Sequence, residues 1–202
     1  MGTTELTREE IVFFNGRMIE DRLSLKTDLW RKRMDAINDK AKPPKLRLKQ
    51  LRALAASIAA EYKGNVACKR GCSHCCYIAV GIMGLEAEVI GEAIGRKPAN
   101  VTGFTTDFSY LPLGYDNPCT FLKNNECSIY EDRPIACRIH SNLEPDNTPC
   151  KLDQPRSTSE FNLEFLYAMY ADICMELPGA DKLNPALADI RKWFPPEEAC
   201  KS

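Results

Sequence analysis

Apolar residues in the first third of the chain recur at helical spacing. Thr7 and Glu10 form a capping box, in which each side chain satisfies the other's backbone donor. Ile11, Phe14, Met18, Leu25 and Leu29 follow as one stripe, which predicts a helix running from Thr7 toward Lys42-Pro43-Pro44-Lys45. The two prolines end it, since proline lacks an amide donor and disfavours a helical residue before it. A second helix is predicted over residues 45–62, with Leu51, Leu54, Ala55, Ile58 and Tyr62 on one face and Gly64 as its stop.

The centre of the chain loses this period. Residues 68–77 are short, polar and turn-like, while 85–94 are helical with Gly95 as terminator. Residues 97–118 carry three prolines and two glycines and are expected to be loop. Cys119–Leu122 and Cys127–Tyr130 flank Lys-Asn-Asn-Glu, which reads as a small hairpin around an Asn turn. Residues 141–158 are again loop. Phe161 to Cys174 reads as a helix, with Phe161, Phe165, Ala168 and Met169 on one face and Leu166, Tyr170 and Ile173 beside it. A last short helix is expected after Asn184-Pro185, burying Leu187, Ile190 and Phe194. No βαβ alternation, Gly-rich phosphate loop, Gly-x-Ser-x-Gly elbow or His-Glu-x-x-His pair occurs, which disfavours nucleotide-fold and hydrolase chemistries.

Composition changes this picture at one point. The chain has 202 residues and is 44% hydrophobic with a formal charge of −1, which fits an ordinary folded chain. It contains ten cysteines, and none of them falls in residues 1–67. No apolar run approaches the ~20 residues that span a bilayer, and the N-terminus lacks an export segment. A cytoplasmic, reducing location is therefore expected, where free thiols call for a metal rather than disulfides.

Cys68-Lys-Arg-Gly-Cys72-Ser-His-Cys75-Cys76 places four thiols in nine residues. Thiolates are soft anionic ligands suited to zinc and to iron–sulfur clusters. Gly71 permits the backbone angles that a metal-wrapping loop needs. The expected architecture is mainly α: helices around a small irregular cysteine-rich metal lobe with a β-hairpin. Its parts are a helical section over 1–67, the lobe over 68–140, and C-terminal helices over 141–202 packing on it, all in one compact domain.

The Cys-x3-Cys-x2-Cys part of that run resembles the cluster loop of radical S-adenosylmethionine enzymes, but no βα barrel surrounds it. The run Cys68–Cys76 is followed by Pro118-Cys119-x-Phe121-Leu122, Cys127-x-Ile129-Tyr130 and Arg133-Pro134-x-x-Cys137-Arg138. Together these resemble the bacterial YkgJ-type cysteine-cluster family of zinc- or iron-chelating domains, also described as iron–sulfur proteins. The resemblance covers residues 68–140 and implies Cys68, Cys72, Cys75, Cys76, Cys119, Cys127 and Cys137 as metal ligands. It implies either a four-iron, four-sulfur cluster or Zn²⁺ as cofactor. Flagellin lysine methylases share the signature alone, which adds cluster-dependent methyl transfer as a third reading.

Seven thiols do not divide into closed sites of four. Cys150, His74 or His140 would supply an eighth ligand. Cys75 and Cys76 are adjacent, and neighbouring side chains of an extended strand point opposite ways, so the pair is not expected to clamp one ion. Cys174 is expected in the core and Cys200 in a spare tail position. Four thiolates on a doubly charged centre leave a net −2, which Lys69, Arg70, Lys123, Arg133 and Arg138 lie close enough in sequence to offset. Arg133 and Arg138 are the candidate cofactor-binding residues beyond the thiols, and Arg138, next to Cys137, is the foremost.

Residues 26–52 hold ten Lys or Arg and three Asp or Glu, a local +7, leaving −8 elsewhere. Such a face could meet a nucleic acid or an acidic protein partner. Bases require aromatic platforms, and Trp30 is the one aromatic in the segment, so solvated helical faces are the favoured reading. Three functions stay open: an iron–sulfur protein with redox or cluster-linked activity, a structural zinc module presenting a helical surface to a partner, and the methyl-transfer enzyme.

Overall fold

The computed structural model describes residues 5–109, 111–154, 163–176 and 186–196. It is mainly helical, with two small two-stranded sheets among the described residues. Helix α1 spans Arg8–Ser24 and begins at the expected capping box: Thr7 Oγ1 accepts the Glu10 amide at 3.2 Å, and Glu10 Oε2 accepts the Thr7 amide at 2.8 Å. The predicted single stripe is corrected here. The chain breaks at Leu25-Lys26 and restarts as α2, Thr27–Asn38. The break resets the helical phase, and the Trp30 indole donates to the Leu23 carbonyl at 3.2 Å across it. Ile19, Trp30 and Ile37 are buried, while Phe14, Met18, Leu25 and Leu29 face solvent.

Helix α3, Pro44–Ala60, organises the rest. Pro44 occupies its first turn, where the missing amide costs nothing. The predicted face is inside: Leu51, Leu54, Ala55 and Ile58, with Leu48 before them and Tyr62 after. Burial of each Leu or Ile contributes roughly 1.5–3 kcal/mol. α3 packs against α2 and against three later helices: α4 (Gly84–Ile94), α5 (Ile135–Ile139) and α6 (Glu164–Met175). The left-handed φ of +67° at Gly95 ends α4, as expected. In α6 the buried face is Leu166, Ile173 and Cys174, and Phe165 is exposed; Phe161 lies outside the described residues.

A second apolar cluster forms from Val80, Ile82, Ala87, Ile90, Phe121, Ile190, Trp193 and Phe194. Strand β1, Gly81–Met83, pairs antiparallel with β4, Leu187–Asp189. This corrects the predicted last helix. Leu187–Asp189 is strand, and the helix α7 is confined to Ile190–Trp193, with the Asp189 carboxylate capping the Arg191 amide at 2.9 Å. Tertiary pairing with β1 overrides local helical preference. Ile190 and Phe194 are buried as predicted; Asn184 and Pro185 lie outside the described residues.

The hairpin forms as read, from β2 (Leu122–Lys123) and β3 (Glu126–Cys127), with Leu122 opposite Cys127. Asn124 and Asn125 turn it with φ of 51° and 62°, the positive pair that a tight hairpin turn requires. Within 141–154 a 3-10 turn, Thr148–Cys150, interrupts the expected loop. No described helix is long and apolar enough to cross a membrane.

The basic stretch over 26–52 is largely paired inside the fold. Lys26 meets Glu61, Lys40 meets Glu176, and Lys45 and Lys49 meet Glu92 on α4. Arg47 is fully buried, donating to the Ile37 carbonyl at 2.5 Å and to the Glu176 carboxylate.

Candidate metal centre

Four chain segments carry the central cysteines. Gly71 adopts φ +88°, the left-handed region open to glycine, and the Cys72 amide closes on the Lys69 carbonyl at 3.0 Å. A 3-10 turn, His74–Tyr77, follows and carries Cys75 and Cys76. The Cys119 amide donates to the Cys76 carbonyl at 2.7 Å, which docks the hairpin, with Cys119 and Cys127, beside the vicinal pair. Helix α5 carries Cys137 and Arg138. Its first amide, on Ile135, is accepted by the buried Glu86 carboxylate at 2.8 Å. Arg52 reaches from α3 to donate to the Asp132 carbonyl at 2.5 Å and the Arg133 carbonyl at 3.3 Å.

These segments enclose a cavity of about 400 Å³ where the two apolar clusters meet. Cys68, Cys72, Cys75, Cys76, Cys119, Cys127 and Cys137 all line it, despite the 42 residues between Cys76 and Cys119. Arg133, Arg138, Lys69, Arg70 and His140 share the wall, with Tyr62, Phe121 and Ile190 among its apolar parts. Lys123 and His74 are not on the wall. Cys174 is buried in the helical core, and Cys200 lies outside the described residues. Among the described residues, no three Cys, His, Asp or Glu side chains gather tightly enough, as they stand, to hold a single ion. The thiols ring a volume instead.

Cys75 and Cys76 lie in a 3-10 turn rather than in extended chain, and both line the same cavity. The two neighbouring thiols shift each other's pKa in opposite directions. The Cys76 thiol, followed by the charges of His140 and Arg133, pulls the Cys75 thiol down in pKa. The same contact, with burial, pushes Cys76 up. Burial raises the Cys68 thiol to about 12 and the Cys119 thiol to about 11, and raises Cys127 and Cys137 as well.

Arg133 stacks its guanidinium 3.8 Å from the Tyr130 ring centroid, a cation–π distance, which fixes it at the wall. Arg138 turns its Nε to the Arg133 carbonyl at 3.0 Å and an Nη to the Glu131 carbonyl. Both guanidinium groups thereby keep positive charge beside the thiols.

Three supporting residues escaped the sequence reading. Arg191 donates through Nη2 to the Cys76 carbonyl at 3.1 Å, through Nη1 to Ile78 at 3.3 Å, and through Nε to Pro118 at 3.2 Å. Asp189, fully buried, holds that guanidinium at 3.0 Å. Asn142, also fully buried, donates through Nδ2 to the Cys150 sulfur at 3.2 Å, and its carbonyl accepts the Ala67 amide at 2.8 Å. Only Asn142 lay near enough in sequence to the cysteines to be suspected. Asp189-x-Arg191 has no local signature, because its partners are backbone carbonyls.

The donor set is sulfur-rich, partly buried and flanked by cations, which is the chemistry that zinc and iron–sulfur centres ask for. The residues present therefore fit such a group. Residues 67–163 match the model of the CxxCxxCC family, described as a "putative zinc- or iron-chelating domain". The match runs past the expected boundary at 140 and takes in Asn142 and Cys150. No curated protein and no solved structure matches the chain.

Proposed function

We propose that the chain is an iron–sulfur protein with redox or cluster-linked activity, its centre seated in the thiol-lined cavity. The observation that carries this reading is that seven thiols from four chain segments face one cavity of about 400 Å³. A ring of thiols around a volume suits a cofactor that brings its own bridging sulfides; a lone zinc needs its four sulfurs drawn to a point. Cys68, Cys72, Cys75, Cys76, Cys119, Cys127 and Cys137 are the proposed ligands. Arg133 and Arg138 offset the negative charge of the thiolates, and cations and N–H donors near sulfur raise a cluster's potential. When bound, the cluster would supply one-electron chemistry; the chain supplies thiolates, positive charge and an apolar wall that limits water.

Protein purified without oxygen tests this. Iron and acid-labile sulfide in equal amounts, with a brown colour that bleaches on reduction, are expected. Colourless protein with zinc and no sulfide overturns it in favour of a structural zinc module.

A further inference from the structure

We propose that helix α1 is the contact face of a homodimer, in which it pairs antiparallel with α1 of a second copy of the chain. The proposal is independent of the metal centre. Ile11, Phe14, Met18, Asp21 and Leu25 follow one another in steps of three, four, three and four residues, the spacing of a coiled-coil seam. The fold leaves this seam in water: Phe14 is 50% exposed, Met18 51% and Leu25 85%, with Phe13 beside them at 63%. The inner side of the helix carries Val12, Ile19 and Leu23. A third row, Arg8, Asn15 and Arg22, spaced seven residues apart, ties α1 to the body. Arg8 pairs with Asp146 at 2.9 Å, Asn15 donates to the Leu143 carbonyl at 2.7 Å, and Arg22 donates to the Lys63 carbonyl at 3.0 Å. The helix is fastened with its apolar seam outward, and turning that seam inward would break these bonds.

Area and charge both fit a second copy. Phe13, Phe14, Met18 and Leu25 keep on the order of 500 Å² of apolar surface in water, the upper end of what a monomer shows in its largest patch. A standard interface takes about 800 Å² from each partner, and rather more than half of that is apolar. Four side chains along α1 thus supply the apolar part of one face. The charges beside them are of both signs, since Arg17, Glu20 and Asp21 are all exposed. Such a face favours no strongly charged partner, but it complements itself. A two-fold axis beside residues 19 and 20 sets Phe14 opposite Leu25 of the second copy and Arg17 beside Asp21 of the second copy, each contact occurring twice. Within its own chain Arg17 pairs with Glu20 at 3.0 Å, whereas Asp21 makes no ion pair among the described residues. A polar residue within a seam fixes its register, which is the role this pairing gives to Asp21.

Sedimentation velocity of the full chain in reducing buffer, from low to high micromolar concentration, tests this, with helical content by circular dichroism as the folding control. The wild type should pass from one chain to two as concentration rises. Phe14→Glu and Leu25→Glu should each raise the dissociation constant by about a hundredfold, since each places two charges in the seam. Arg17→Asp and Asp21→Arg should each weaken the dimer by about tenfold, and the two together should restore most of it. Phe104→Glu, at an exposed apolar residue outside α1, should change nothing. A wild type that stays a single chain throughout overturns the proposal and leaves the seam to a different protein. A dimer that Phe14→Glu and Leu25→Glu leave intact also overturns it, because that dimer is built on another face. A double reversal no tighter than the single ones overturns the antiparallel pairing.

Discussion

Arg191 donates to the carbonyl of Cys76 at 3.1 Å across 115 residues of sequence, from a C-terminal segment that lies outside the family match. Its other donors reach Ile78 and Pro118, so one guanidinium ties the backbone after the vicinal thiols to the backbone before Cys119. The five donors of arginine form a fixed fork, whereas lysine offers a single point of charge. Arg191→Lys is therefore expected to behave like Arg191→Met. Each should lose about 2–4 kcal/mol in urea unfolding, because neither side chain can reproduce the fork's bonds to the Cys76, Ile78 and Pro118 carbonyls while it pairs with buried Asp189. Lysine that restores wild-type stability would show that charge alone suffices.

Glu86 is buried, and its pKa is raised by that burial against the opposing pull of the Ile135 amide and Arg52. Its carboxylate caps the helix that carries Cys137. Glu86→Ala leaves the Ile135 amide unsatisfied, at a cost of about 1–3 kcal/mol. Glu86→Gln keeps an acceptor and should recover most of that. Equal unfolding midpoints for the two variants would refute the capping role.

Glu176 is held below the usual carboxylate range, first by its hydrogen bond to Lys40 and then by the charge of Arg47. A depressed folded pKa adds stability above the unfolded value of about 4.5 and loses it as pH falls through the folded value. The wild type should thus lose thermal stability as pH falls below about 4.5. Glu176→Gln should be less stable at pH 7, by about 1–2 kcal/mol, since Arg47 is buried and Glu176 is partly exposed. It should also show a flatter acid limb, as seen in melting temperature against pH. Parallel acid limbs would exclude this pair as their cause.

Metal removal should loosen the cysteine-bearing loops and turns, residues 68–78 and 117–128, before the helical core. Buried apolar side chains hold α4 and α5 on α3, whereas in the loops thiolate–metal bonds supply folding free energy directly. Limited proteolysis of chelator-treated protein should cut there first, while α3 and its partners persist. An unchanged cleavage pattern would mean that the centre does not hold the lobe together.

Much of this protein was legible in the chain. The Thr7–Glu10 box, the inner face of α3, the Gly95 stop and the Asn124-Asn125 turn are local events, each set by residues within a turn of one another. The cysteine spacing likewise announced a metal site, because so many soft ligands in so few residues have little other use. The stripe through Phe14, Met18 and Leu25 misled because helical phase survives only while the helix does. Within α1 the inner face runs through Val12, Ile19 and Leu23, off the line of Phe14 and Met18, and the two-residue break at Leu25-Lys26 then reset the phase so that Trp30 is buried in α2. Leu187–Asp189 became strand because β1 offered hydrogen bonds from 100 residues away, which no local period records. Cys75 and Cys76 face one cavity because their turn is 3-10, closed by the Cys76 amide on the Ser73 carbonyl at 2.8 Å. The role of Arg191 was decided by tertiary structure alone. Its partners are backbone carbonyls more than 70 residues away, and such contacts exist only once the chain has brought its segments to one place.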